Sequence, residues 1–143
     1  MDEDRLNAIP LFAGLSRKEL RALAPRADEV ELEKGRTLVR EGDWPYEFFA
    51  IEEGTVEVRR GDQLLGELGP GDFFGEMALV GDTRRNATVV AKSPIKVVVM
   101  TGQAFRQTAR ELPEVAAKIR AAVEERGNAE RRALFVGLWP PML

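Results

Sequence analysis

The sequence predicts a mainly β domain flanked by helices, and three observations carry that expectation. Between about residue 27 and residue 101 the chain breaks into short runs rich in valine, isoleucine and phenylalanine, starting with period-two alternation. Most runs close on glycine. On both sides of this region the apolar spacing lengthens to that of an amphipathic helix. Short strands at near-regular spacing, punctuated by glycine turns, close into a sandwich or barrel.

The elements follow in order. "IPLFAGL" is an apolar connector, and "SRKELRALA" reads as a helix with Ser16 as N-cap and Glu19 completing a capping box. Leu20 and Leu23 supply its apolar face, and Pro25 ends it. "VELEKG" opens the β region by alternating Val30 and Leu32 with acids. "TLVREGD", "EFFAIEEG", "TVEVRRGD", "LLGELGPGD", "ATVVA" and "IKVVVM" continue it. The turn residues are Gly35, Gly42, Gly54, Gly61, Gly69 with Gly71, and Gly81. Trp44, Pro45 and Tyr46 form a turn between strands. After Thr101 the helical period returns, and Pro113 opens a helix whose face is Val115, Ile119, Ala122 and Val123. Gly127 and Asn128 are placed as its C-cap. The last segment, "AERRALFVGLWPPML", begins amphipathic and ends in Trp139 and prolines.

A chain of 143 residues suffices for one domain with a core of its own. The expected division is an N-terminal helical segment over 1–26, a β region over 27–101, helices over 102–128 and a tail over 129–143. Cysteine and histidine are both absent. That excludes disulfides, thiolate metal sites and the Ser-His and Cys-His nucleophile pairs. It also removes the side chain best suited to proton transfer near neutral pH. A net charge of −3 argues against a nucleic-acid module. No run of about 18 apolar residues is present, so no membrane span is expected. The acidic start is not a secretory signal, and a cytoplasmic location is expected. Binding is favoured over catalysis.

One stretch stands apart: "GDFFGEMALVGDTRRNATV", residues 71–89. Glu76 follows Gly75, three apolar residues come next, and Arg84 and Arg85 lie eight and nine positions beyond Glu76. A buried carboxylate or guanidinium needs a partner. Glu76 and Arg85 either pair with each other or meet a ligand. In the second case Gly75 lets backbone approach the ligand, and a helical turn begun at Met77 and Ala78 presents free amides to an anion. An arginine adds a bidentate clamp for phosphate. The carboxylate accepts a hydrogen bond from a sugar hydroxyl. Arg84 is a solvated neighbour.

"FGEMAL" followed by "RNAT", with Arg85 nine positions after Glu76, resembles the phosphate-binding cassette of cyclic nucleotide-binding domains. The resemblance covers most of the chain. "PLFAGLS" and the following helix are similar to that family's N-terminal segment, and "GRTLVREGDWPYEFFAIEEGTVEV" to its early strands. Channel-type domains and small regulators of bacteria are the most similar subfamilies. The implied fold is an antiparallel β-roll or jelly-roll barrel with N-terminal helices and C-terminal hinge and lid helices; its cassette spans 74–88. The resemblance implies that Glu76 binds the ribose 2′-hydroxyl and Arg85 the cyclic phosphate. The amides of Gly75, Met77 and Ala78 cradle sugar and phosphate, and Phe74 and Ala87 complete the cassette's contribution. Asn86 stands where threonine or serine is common. It can serve a phosphate or a guanine edge, so both cAMP and cGMP are open, with cAMP favoured. Val58 and Leu68 line the base side or are simply core, and Thr88 is either a pocket residue or an ordinary strand threonine. No cofactor is implied besides the ligand.

The resemblance further implies a lid helix that closes over the base, with Glu125 or Arg126 near its end as the capping residue. Too little chain follows Asn128 for a helix-turn-helix. The expected function is that of a stand-alone sensor acting on a protein partner or on a second copy through its C-terminal helices. Leu134, Phe135, Leu138 and Trp139 form the cluster that docks on a partner, on a second copy or on the domain itself. The alternatives are a degenerate scaffold that binds nothing, or a regulatory fragment of a larger channel or transcription factor.

Overall fold

The computed structural model describes the backbone of residues 1–75 and 84–135, and the side chains of 1–75 and 84–125. Within these residues two four-stranded antiparallel sheets face each other. The strands are β1 (Asp28–Leu32), β2 (Thr37–Val39), β3 (Glu47–Glu53), β4 (Val56–Arg60), β5 (Gln63–Leu68), β6 (Phe73–Phe74), β7 (Thr88–Ala91) and β8 (Ile95–Thr101). One sheet runs β1-β8-β3-β6 and the other β2-β7-β4-β5. This interleaving is a double-sheet jelly roll. The β-rich runs of the sequence each supply one strand; β6, only two residues long, was not separately expected.

The sandwich core explains the composition of the strands. Phe49, Ile51, Val56, Val58, Phe74, Val89 and Val97 are buried together between the sheets. Phe49 and Phe74 are register partners, and their rings stack at 4.9 Å. The run "FFAI" in β3 lacks alternation because both faces of that strand are covered. Phe48 and Ala50 point away from Phe49 and Ile51 into a second core, with Val98 and Met100 of β8.

Helices build that second core. α1 (Glu3–Asn7) and α2 (Arg17–Leu23) precede the sheets, joined by a 3₁₀ turn at Pro10–Phe12. α3 (Gly102–Glu111) and α4 (Pro113–Phe135) follow them. α2 starts at the expected capping box: Ser16 Oγ accepts from Glu19 N at 3.1 Å, and Glu19 Oε1 accepts from Ser16 N at 2.8 Å. Leu6, Phe12, Leu20, Leu23, Phe105, Val115 and Ile119 pack with the outer face of the β1-β8-β3-β6 sheet. Among the described residues the helices therefore cover one sheet only.

One boundary differs from expectation. The last helix does not end at Gly127 and Asn128 but continues through Phe135. A glycine inside a helix is tolerated at modest cost, so it marks a cap only when tertiary contacts stop the helix there. Gly81, Leu138 and Trp139 lie outside the described residues.

Candidate functional site

Three strands of backbone converge on Arg85. Its amide donates to Asp43 O at 2.7 Å, and its carbonyl accepts from Gly42 N at 2.9 Å. The segment before β7 is thus laced to the linker between β2 and β3. The Arg85 side chain is buried, and its Nη2 donates to the carbonyl of Glu47 at the start of β3. A carbonyl dipole partly offsets the desolvation of this cation.

Gly75, at the end of β6, closes the arrangement. Its φ is +79°. A Cβ placed there would stand 2.8 Å from Arg85 Nη1 and 2.8 Å from Glu47 O. Conformation and space both require glycine. The structure thus brings Gly75 and Arg85 together. Glu76, Met77 and Ala78 lie outside the described residues.

The remaining site residues divide. Asn86 is exposed, and its carbonyl accepts from Arg60 Nε at 3.0 Å. Thr88 Oγ1 accepts from Glu41 N at 3.0 Å, so this hydroxyl pins the β2–β3 linker. Val58, Leu68, Phe74 and Ala87 are buried in the sandwich core. Trp44, Pro45 and Tyr46 lie in the β2–β3 linker, as expected for a turn, with both aromatic rings exposed. A cleft of about 450 Å³ opens beside them, walled by Val39, Arg40, Asp43, Trp44, Glu47 and both arginines.

Arg84 does more than expected. It is exposed, yet its Nη1 donates to Gly42 O at 2.9 Å and its guanidinium lies 4.4 Å from the centre of the Trp44 ring. Glu41 also acts at a distance, its Oε1 accepting from Gly61 N at 3.0 Å in the β4–β5 turn. No local pattern signals these contacts, because the partners are far apart in the chain.

The C-terminal helix presents the expected face. Val115, Ile119 and Val123 are buried and Ala122 half-buried, packed with the N-terminal helices and Phe105. Lys118 Nζ to Glu19 Oε1 at 2.7 Å ties this helix to α2, and Arg26 Nη2 to Glu111 Oε2 at 2.6 Å ties α3 to the segment after α2. The Lys118 hydrogen bond, followed by that from Ser16 N, holds the Glu19 carboxyl below the usual carboxylate range. Arg26 does the same to Glu111. Glu125 is exposed, and the side chains of Arg126, Leu134 and Phe135 lie outside the described residues.

Residues 29–111 match the cyclic nucleotide-binding domain family. The match covers more than half of the chain, and the chain belongs to that family, one of binding domains rather than of enzymes. A cAMP-dependent protein kinase regulatory subunit of Schizosaccharomyces pombe is 33% identical over 106 residues, spanning 73% of this chain and 26% of the relative. The chain thus spans about a quarter of that relative's length. A cyclic nucleotide-binding domain from Methylobacillus flagellatus superimposes with a TM-score of 0.80 at 26% identity, over 90% of this chain and 75% of the other. The N-terminal domain of a transcriptional regulator from Streptomyces coelicolor gives 0.74 at 28% identity, over 94% and 97%. Among the described residues no helix is long and apolar enough to cross a membrane.

Proposed function

We propose that this chain binds a cyclic nucleotide within the β-roll, cAMP in preference to cGMP, with Arg85 on the cyclic phosphate and Glu76 on the ribose 2′-hydroxyl. The reading rests chiefly on Arg85: a buried guanidinium, bonded to Glu47 O and seated against a glycine of positive φ. The planar fork suits bidentate recognition of phosphate oxygens. Its bond to Glu47 orients the fork before ligand arrives, which lowers the entropy lost on binding. Amides at Gly75, Met77 and Ala78 add donors around the anion. Phe74, Ala87 and Val58 back the pocket from the core, and Asn86 and Thr88 complete its rim.

Ligand becomes signal through α4. Its apolar face rests against the N-terminal helices, so a ligand that favours a second position of α4 shifts that packing by its differential affinity for the two states. The chain acts as a cytoplasmic sensor module, and its C-terminal helices meet a partner or a second copy. A calorimetric titration with cAMP, cGMP and 5′-AMP tests the reading. Binding of cAMP at about micromolar Kd, tighter than cGMP and much tighter than 5′-AMP, supports it. No heat with any cyclic nucleotide at millimolar concentration makes the domain a scaffold.

A further inference from the structure

Arg84 and Trp44 are both exposed, far apart in sequence, and in contact. Solvated side chains without a role are not expected to hold one geometry, because ordering an arginine costs rotamer entropy. Here two interactions order it: the stack on Trp44 and the bond to Gly42 O at 2.9 Å. Both land on the linker between β2 and β3, which also holds Arg85. Gly42 N and Asp43 O bond the Arg85 backbone at 2.9 and 2.7 Å, and the linker leads into Glu47, whose carbonyl takes the Arg85 guanidinium. Beyond Trp44, the carbonyl of Tyr46 accepts from Gly102 N at 2.9 Å, at the start of α3.

We propose that Arg84 and Trp44 are positioning residues for Arg85: their stack fastens the linker that fixes both the backbone and the guanidinium of the phosphate-binding arginine. The inference rests on the proposed role of Arg85. The adjacent arginines then divide the work, one facing the ligand and one holding the frame.

Calorimetry with cAMP on Arg84→Ala, Trp44→Ala, Arg85→Ala and the Arg84→Ala/Arg85→Ala pair tests this. Arg84→Ala, which loses both a hydrogen bond and a cation–ring contact, weakens binding about tenfold, and Trp44→Ala, which loses only the ring contact, about fourfold. Arg84→Lys and Trp44→Phe, which keep a cation and a ring, stay within about threefold of wild type. In the Arg85→Ala background, Arg84→Ala changes affinity less than about twofold, because the residue it positions is gone. Wild-type affinity for Arg84→Ala and Trp44→Ala, or an undiminished Arg84 effect without Arg85, overturns the inference. Wild-type affinity for Arg85→Ala instead overturns the phosphate role. Hydrogen exchange on the ligand-free protein tests the fastening separately. The Gly42 and Arg85 amides exchange about tenfold faster in Arg84→Ala, and unchanged protection contradicts it. Both side chains are exposed, so the variants keep the fold, and thermal melts check that.

Discussion

Gly75 and the guanidinium of Arg85 are in such close apposition that a methyl group on the glycine would stand 2.8 Å from Arg85 Nη1. The same methyl would meet the carbonyl of Glu47, the acceptor of the Arg85 hydrogen bond. Flexible side chains yield to such contacts, but backbone carbonyls do not.

Gly75→Ala is therefore expected to cost about 1–3 kcal/mol from its positive φ, with the clash adding to it. The displaced guanidinium also weakens cyclic nucleotide binding. Thermal melts and a cAMP titration of the variant measure the two effects. A variant with unchanged stability and affinity would show that this apposition is not required.

The helix through Gly127 makes a prediction of opposite sign. At a C-cap of positive φ, alanine destabilises; inside a helix, it stabilises. α4 carries helical backbone across this position, so Gly127→Ala is expected to raise stability by about 0.5–1 kcal/mol. Denaturant unfolding decides the matter, and a loss of stability would mean that the helix ends there.

Glu52 governs one part of the pH dependence. Its side chain is 12% exposed, and Arg5 Nε lies 3.4 Å away, shared with Glu29. Burial first, and then the charge of Glu29, push its carboxyl above the ordinary range, against the pull of Arg5 and Lys96. The folded state therefore holds this proton to higher pH than the unfolded chain does. Stability from this group falls as pH rises from the ordinary carboxylate value through the raised one. Glu52→Gln, a neutral isostere, is expected to be more stable than wild type at neutral pH, with the gap closing on acidification. Greater stability of wild type at neutral pH would mean that the Arg5 pairing outweighs burial.

Glu19 and Glu111 act with the opposite sign. Their carboxyls are held below the usual range, so their contribution is present above the unfolded value and lost as pH falls. Both pairs are solvent-screened, and Lys118→Ala is expected to change stability little. Ser16→Ala removes the α2 cap and costs about 1 kcal/mol. Equal losses in the two variants would show that the ion pair matters more than its exposure allows.

These contrasts show what the sequence could reveal. The capping box at Ser16 and Glu19 is a local signal, legible because both hydrogen bonds close within four residues. The strands were legible through their β-rich runs and glycine turns, but β6 was too short to register. Gly75 and Arg85 could both be singled out because the cassette keeps its members within about fifteen residues, but their contact is visible only in the fold. Val58, Phe74 and Ala87 show the limit: a residue that backs a pocket and one that fills a core have the same chemistry. In the sequence Arg84 looks solvated, because its partners, Gly42 and Trp44, are adjacent to it only after the sheets pair. Within the helical segment expected over 1–26, the acidic start gave no separate bounds for α1, though Asp2 accepts from Asp4 N at 2.7 Å as an N-cap. The continuation past Gly127 is not legible in the sequence, because a glycine followed by asparagine is also what a helix end looks like.

Cyclic nucleotide binding turns on Arg85, and the most direct test is a calorimetric titration of wild type and Arg85→Ala with cAMP. Truncating one partner of a buried, charge-assisted contact costs about 2–5 kcal/mol, so the variant is expected to bind at least about thirtyfold more weakly. Glu76→Ala is expected to cost less, since a ribose hydroxyl is neutral. Equal affinity of Arg85→Ala and wild type for cAMP would contradict the phosphate assignment and leave Arg85 as a structural cation bonded to Glu47.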